Sequence, residues 1–164
     1  MNEIVSSLLI GAVATAVTDL WTIVRKSMFG VAQPNYGLVG RWIAGLARGR
    51  WGGTPVAAST PVSGERAIGW IAHYAIGIAF AALLPAFWGA QWIHNPTFAP
   101  AMIVGIATVA APYFILQPGM GAGIAASRTP RPAIARLHSL VMHAVFGVGL
   151  FVAGTVVSFF STGG

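Results

Sequence analysis

Gly69-Trp70-Ile71-Ala72-His73-Tyr74-Ala75-Ile76-Gly77 is an apolar run that holds one imidazole between two glycines. It has a counterpart seventy residues later, Ser139-Leu140-Val141-Met142-His143-Ala144-Val145-Phe146-Gly147. Each copy carries a small residue four positions before the histidine, a glycine four after it, and an arginine (Arg66 or Arg136) seven before it. Positions four apart share a helix face, so the small residues stack with the imidazole and set it in a groove where a second helix can approach closely. A helix that is apolar on every side needs an apolar surrounding, and that decides the fold class.

Composition points the same way. Of 164 residues 56% are hydrophobic and 7% charged, and the mean hydropathy is +0.76. A soluble domain carries about 25% charged residues. With so few charges the chain cannot cover itself in water, and the expected solvent is lipid. The fold class that follows is an all-α integral membrane protein, residues 1–164 forming a single membrane domain. Nine Lys+Arg against three Asp+Glu make the chain basic. Nucleic acid is excluded as a partner, because the arginines sit in short loops between apolar runs and form no basic stripe or nucleic-acid-binding motif. The charge reads instead as a topology signal and as attraction to anionic lipid head groups at the cytoplasmic face. The chain has no cysteine, which removes disulfides, thiolate zinc sites, iron–sulfur clusters and thiol nucleophiles.

Four spans of about twenty residues fit a bilayer core: 4–24, 67–87, 101–120 and 137–160. The first is no cleavable signal, since its charges Arg25 and Lys26 follow it. Within it Gly11, Thr15, Asp19 and Thr22 fall on one face, which should turn toward protein. Between Arg25 and Arg66, residues Tyr36, Leu38, Val39, Trp42, Ile43 and Leu46 recur at near-helical spacing. They predict an amphipathic helix over 35–47 in the cytoplasmic head-group layer, with an irregular loop as the alternative. Gly52-Gly53-Thr54-Pro55 and Ser59-Thr60-Pro61 punctuate this connection; Ser63 suits a cap, and Glu65 the positive end of the next helix. Trp88 and Trp92 close the second span as interface anchors. In the third, Pro112 and Pro118 free the carbonyls of Thr108 and Phe114, and Gln117–Gly123 should break the helix. Irregular backbone at that depth must face protein or water. Ser161–Gly164 reads as a short neutral tail. All nine Lys+Arg lie in the first and third connections or at the span ends beside them. Both termini are therefore expected in the periplasm of a bacterial inner-membrane protein.

The first two spans resemble the last two, as in a pair of parallel helical hairpins. Asp19 lies six residues before Arg25, and each histidine seven after an arginine. At about 1.5 Å per residue this places all three roughly 10 Å inside the cytoplasmic edge. Gln117 falls near that level, so Asp19, His73, Gln117 and His143 form a candidate polar layer. Thr15, Tyr74, Thr108, Phe114 and Pro118 would line it. Three uses stay open: hydrogen bonds that fix helix register, a site that binds or passes a proton, ion or small solute, or ligation of a metal or b-type haem by His73 and His143. The function expected is the second; the competing class is a non-catalytic accessory subunit of a larger membrane complex, or a homo-oligomer whose polar layer is merely satisfied. No nucleophile motif or His-Glu-x-x-His run marks an enzyme. His94 and His138 read as interface residues, and Gly119-x-Gly121-x-Gly123 follows no strand and is no dinucleotide fingerprint.

Ala14-Thr15, Asp19-Leu20-Trp21, Asn35-Tyr36, Val39-Gly40-Arg41-Trp42, Gly64-Glu65-Arg66, His73-Tyr74, Gln117-Pro118 and Ala126-Ser127-Arg128-Thr129-Pro130 together resemble one family. It is a bacterial domain-of-unknown-function family, number 2938, of small four-span inner-membrane proteins. The resemblance covers nearly the whole chain and implies that fold and location. It implies no activity, cofactor or catalytic residue.

The orientation is testable because no native cysteine competes for label. In intact spheroplasts a membrane-impermeant maleimide should react with Ser161→Cys, and with Ala57→Cys only after lysis. The opposite pattern refutes the assigned sidedness.

Overall fold

The computed structural model describes residues 2–52 and 54–162, and among them it holds helices and no strand. Helix α1 spans Glu3–Phe29. Asn2 caps it by accepting the Val5 N–H at 2.8 Å, and Gly30, at φ 65°, ends it by donating to the Lys26 carbonyl. Helix α2 runs Tyr36–Leu46, with Asn35 as its cap on Gly37 N–H. Helix α3 covers Glu65–Ala81 and α4 Leu83–Trp88. The sequence suggested one unbroken helix here; the interruption at Ala82 comes from Pro85, whose ring nitrogen has no proton to give the carbonyl a turn earlier. A short α5 (Gln91–His94) precedes α6 (Phe98–Ala107). The third span then turns at Thr108-Val109, continues as a π-helical turn over Pro112–Leu116, and ends in α7, Gln117–Gly119. Helix α8 runs Pro132–Thr162.

Four stretches are long and apolar enough to cross a membrane: Glu3–Phe29, Glu65–Trp88, Phe98–Gly119 and Pro132–Ser161. They coincide with the expected spans to within a few residues. Of the expected tail, Ser161 and Thr162 belong to α8, while Gly163 and Gly164 lie outside the described residues, as do Met1 and Gly53.

The chain forms two compact units. One holds residues up to Gln33, Tyr74–Thr108 and the chain from Val141; the other holds Pro34–His73 and Val109–Leu140. Helices α3 and α8 contribute to both.

The first unit is built around Ile10, Ala14, Leu84, Val104, Phe146 and Leu150, all buried. Its helices meet at small residues. A Cβ placed on Gly105 would lie 2.7 Å from the Gly147 nitrogen and 2.8 Å from the His143 carbonyl oxygen, so α6 and α8 touch backbone to backbone. Leu20, Ile23, Ile103 and Val156 point away from the core and are exposed, the pattern expected of a lipid-facing surface.

In the second unit α2 lies across the first turn of α3. Gly40 abuts the Glu65 carbonyl, and Gly69 abuts the carbonyl of Tyr36. Arg41 forks onto Glu65, Nε to Oε2 at 2.7 Å and Nη2 to Oε1 at 2.8 Å, while Nη1 donates to the Ser59 carbonyl at 2.8 Å. The pair holds the Arg41 guanidinium above its ordinary pKa, so it stays charged at any physiological pH. Glu65 Oε2 also accepts the Val62 N–H at 2.9 Å. Glu65 itself thus closes the turn that Ser63 was expected to cap.

Two variants test this packing. Gly105→Ala should destabilise the solubilised protein by about 1–3 kcal/mol, the usual cost of overpacking, whereas Ile103→Ala changes its unfolding little. In the second unit Glu65→Arg and Arg41→Glu each lower the melting temperature, and the double swap recovers part of the loss. Additive losses in the double variant would rule out direct coupling of the pair.

Candidate functional site

Asp19, His73, Gln117 and His143 each meet a hydroxyl group from elsewhere in the chain. In the first unit, α1 presents Thr15, Thr18 and Thr22 on a buried face. All three hydroxyls are committed to carbonyls one turn back, on Gly11, Thr15 and Asp19, at 2.7, 2.6 and 2.8 Å. Asp19 projects its carboxylate to α3, where the Tyr74 hydroxyl donates to Oδ2 at 3.0 Å.

His143 shows the most defined geometry. Its Nδ1 lies 3.1 Å from the Gly105 carbonyl oxygen and 3.1 Å from Thr108 Oγ1. Thr108 Oγ1 is itself within 2.9 Å of the Val104 carbonyl and 2.8 Å of that of Gly105. A carbonyl oxygen can only accept, so the ring proton sits on Nδ1; this assigns the tautomer from its partners. In the neutral ring the lone pair is then on Nε2. The glycine contact between α6 and α8 is what brings His143 within reach of a backbone carbonyl.

In the second unit Gly69 lets the Tyr36 backbone sit directly on α3, and the Tyr36 ring then covers the next turn. The ring stacks on His73 with centroids 4.2 Å apart and 27° between planes, and its hydroxyl lies 3.0 Å from His73 Nε2. Trp70 packs against both rings. The close-packing groove expected around this histidine is therefore filled by α2, which the sequence did not identify as its partner. Gln117 follows the π-helical turn, its N–H donating to the Pro112 carbonyl five residues back. Its Nε2 donates to Ser139 Oγ at 3.2 Å, while Oε1 is buried with no hydrogen-bond partner among the described residues.

The structure thus joins Asp19 to Tyr74 and His143 to Thr108 in the first unit, and His73 to Tyr36 and Gln117 to Ser139 in the second. Of the other expected lining residues, Thr15 is buried, Pro118 partly buried, and the Phe114 side chain exposed. His94 is exposed and His138 partly buried. Tyr113 donates to the Arg136 carbonyl at 2.7 Å, and Arg136 Nε donates to the Ala125 carbonyl at 2.8 Å. These bonds hold the turn before α8, in which Ala125 and Ala126 adopt positive φ of 46° and 59°.

Sequence reading missed Tyr36 and Ser139 as partners, and it took Arg25 as a topology charge only. Arg25 is 7% exposed, and its Nε and Nη1, like the Trp21 Nε1 one turn earlier, are buried without a hydrogen-bond partner among the described residues. The signal was available in part, since Thr18, Thr22 and Arg25 continue one face of α1. As for metal, no group of three or more His, Cys, Asp or Glu gathers among the described residues. Ligation through His73 Nε2 would displace the Tyr36 hydroxyl, whereas His143 keeps Nε2 for a proton or a metal.

With helices and no strand among its described residues, and four stretches long and apolar enough to cross a membrane, the chain is compatible with a multi-pass membrane protein. It belongs to the protein family of unknown function DUF2938, whose profile matches residues 8–157. No curated protein and no solved structure matches it.

Side-chain ¹⁵N NMR of histidine-labelled protein, with His143→Ala to assign the signal, should find neutral His143 protonated at Nδ1. A proton on Nε2 would overturn the assignment.

Proposed function

We propose that this chain is a bacterial inner-membrane protein that binds or passes a proton, ion or small solute by way of the polar residues of its spans. Both termini face the periplasm, and the basic connections, with α2 in the head-group layer, face the cytoplasm. The observation that carries the reading is the mode in which His143 is held. With Nδ1–H bonded to Gly105 and Thr108, Nε2 can gain or lose a proton without breaking the contact that fixes the ring. Asp19 is the other ionisable candidate of the polar layer in that unit. Its charge costs about 2.5–3.5 kcal/mol to bury in a bilayer, and Tyr74 supplies one donor toward it. In the other unit His73 and Gln117 are the polar stations.

A second reading, a non-catalytic accessory subunit or homo-oligomer, is favoured by the hydroxyl partner that Asp19, His73, Gln117 and His143 each already have. Interhelical bonds of this kind contribute about 0.6 kcal/mol each, enough to fix register without further use.

Proteoliposomes separate the two. Under an imposed potential with a pH-sensitive dye inside, His143→Gln and Asp19→Asn should lose most of the wild-type proton flux while melting within a few degrees of wild type. Flux that is absent from the wild type, or lost only together with folding, would support the accessory role instead.

A further inference from the structure

The second unit contains a pocket of about 200 Å³ that neither the fold nor the polar residues of the spans account for. Arg41, Trp42, Arg48, Arg50 and Thr60 are among its walls, Gly119 is part of its floor, and no carboxylate lines it. Arg41 is neutralised by Glu65. Arg48 and Arg50 are exposed, and neither meets a carboxylate among the described residues. Their position is fixed by the backbone: the N–H groups of both donate to the Gly45 carbonyl, at 2.9 and 3.0 Å, around Gly49 at φ 74°. The floor is equally defined. The Trp42 indole packs on Gly119, where a Cβ would lie 2.6 Å from Cε2, and its Nε1 donates to the Trp51 carbonyl at 3.0 Å.

We propose that this pocket binds an anionic phosphate group. Arg48 and Arg50, both unneutralised, carry forked donors, and Thr54 and Thr60 also line the pocket. The two oxygens of a carboxylate lie in one plane and suit one fork; the tetrahedral oxygens of a phosphate can engage two forks that approach from different directions. The pocket also adjoins the ends of two stretches long and apolar enough to cross a membrane, where a bilayer would place its lipid phosphates. Gly119 ends one membrane-crossing stretch, and Val62 precedes the start of another by three residues. Trp42 and Trp51 are of the type that anchors at this interface. The ligand is therefore an anionic lipid head group or a free phosphate of the same chemistry. The inference does not depend on the proton reading above.

The test uses the full chain in nanodiscs of phosphatidylcholine, titrated with phosphatidylglycerol or with inorganic phosphate and read by Trp fluorescence and melting temperature. Saturable stabilisation by phosphatidylglycerol alone identifies a lipid site; a response to inorganic phosphate as well identifies a site for free phosphate. In either case Arg48→Gln/Arg50→Gln should weaken binding by about tenfold or more, as expected for lost charge-assisted bonds. Arg128→Gln/Arg131→Gln, with the same change in charge in the other basic loop, should leave it intact. Equal weakening in both double variants would reduce the effect to general surface charge and overturn the proposal, as would absence of any saturable response.

Discussion

Lipid tails neither push helices together nor hydrogen-bond to their backbones, so a chain of this composition must hold itself together by approach at small residues. That constraint organises both units. Where Gly105 meets Gly147, the α6 backbone comes close enough for His143 to donate to the Gly105 carbonyl. Where Gly69 meets the Tyr36 carbonyl, the Tyr36 ring is laid over His73. The two histidines that look alike in sequence thus acquire different chemistry. One is held through a backbone carbonyl and a threonine; the other lies under a phenol.

The same reasoning explains how polar groups survive inside apolar spans. The α1 threonines close onto their own helix and need nothing from a neighbour. Asp19 and Gln117 have side chains that reach further, and both find hydroxyl groups on other helices. Each such bond contributes little by itself, but leaving either group unbonded in hydrocarbon would cost several times more. Arg41 and Glu65 sit at the other extreme, a forked pair tied to two backbone groups that fastens α2 to the start of α3.

Much of this was legible in the residues. The four apolar spans follow from length and hydropathy, and the break in the third from Pro112 and Pro118. Helix α2 could be read from the spacing of Tyr36, Trp42 and Ile43, and the glycines at four-residue intervals around each histidine pointed to close contact. What could not be read was the occupant of each contact, because the pairing of Tyr36 with His73 or Gln117 with Ser139 depends on which helices meet. Arg25 was misjudged for a related reason: an arginine after an apolar span ordinarily reaches for water, and its burial is set by neighbours that sequence spacing does not reveal. Pro85 was legible and overlooked, and it divides α3 from α4.

The wide turn at Pro112–Leu116 accommodates one residue more than an ordinary helix would over the same rise. If the same residues wound as an ordinary helix, with none removed, everything beyond them would swing by about 100° around the axis. Gln117 would then aim away from Ser139, and Gly119 from the indole of Trp42. The wide turn therefore works as a phase shifter: it sets which way the end of the third span faces, and tightening it would undo contacts that no substitution had touched.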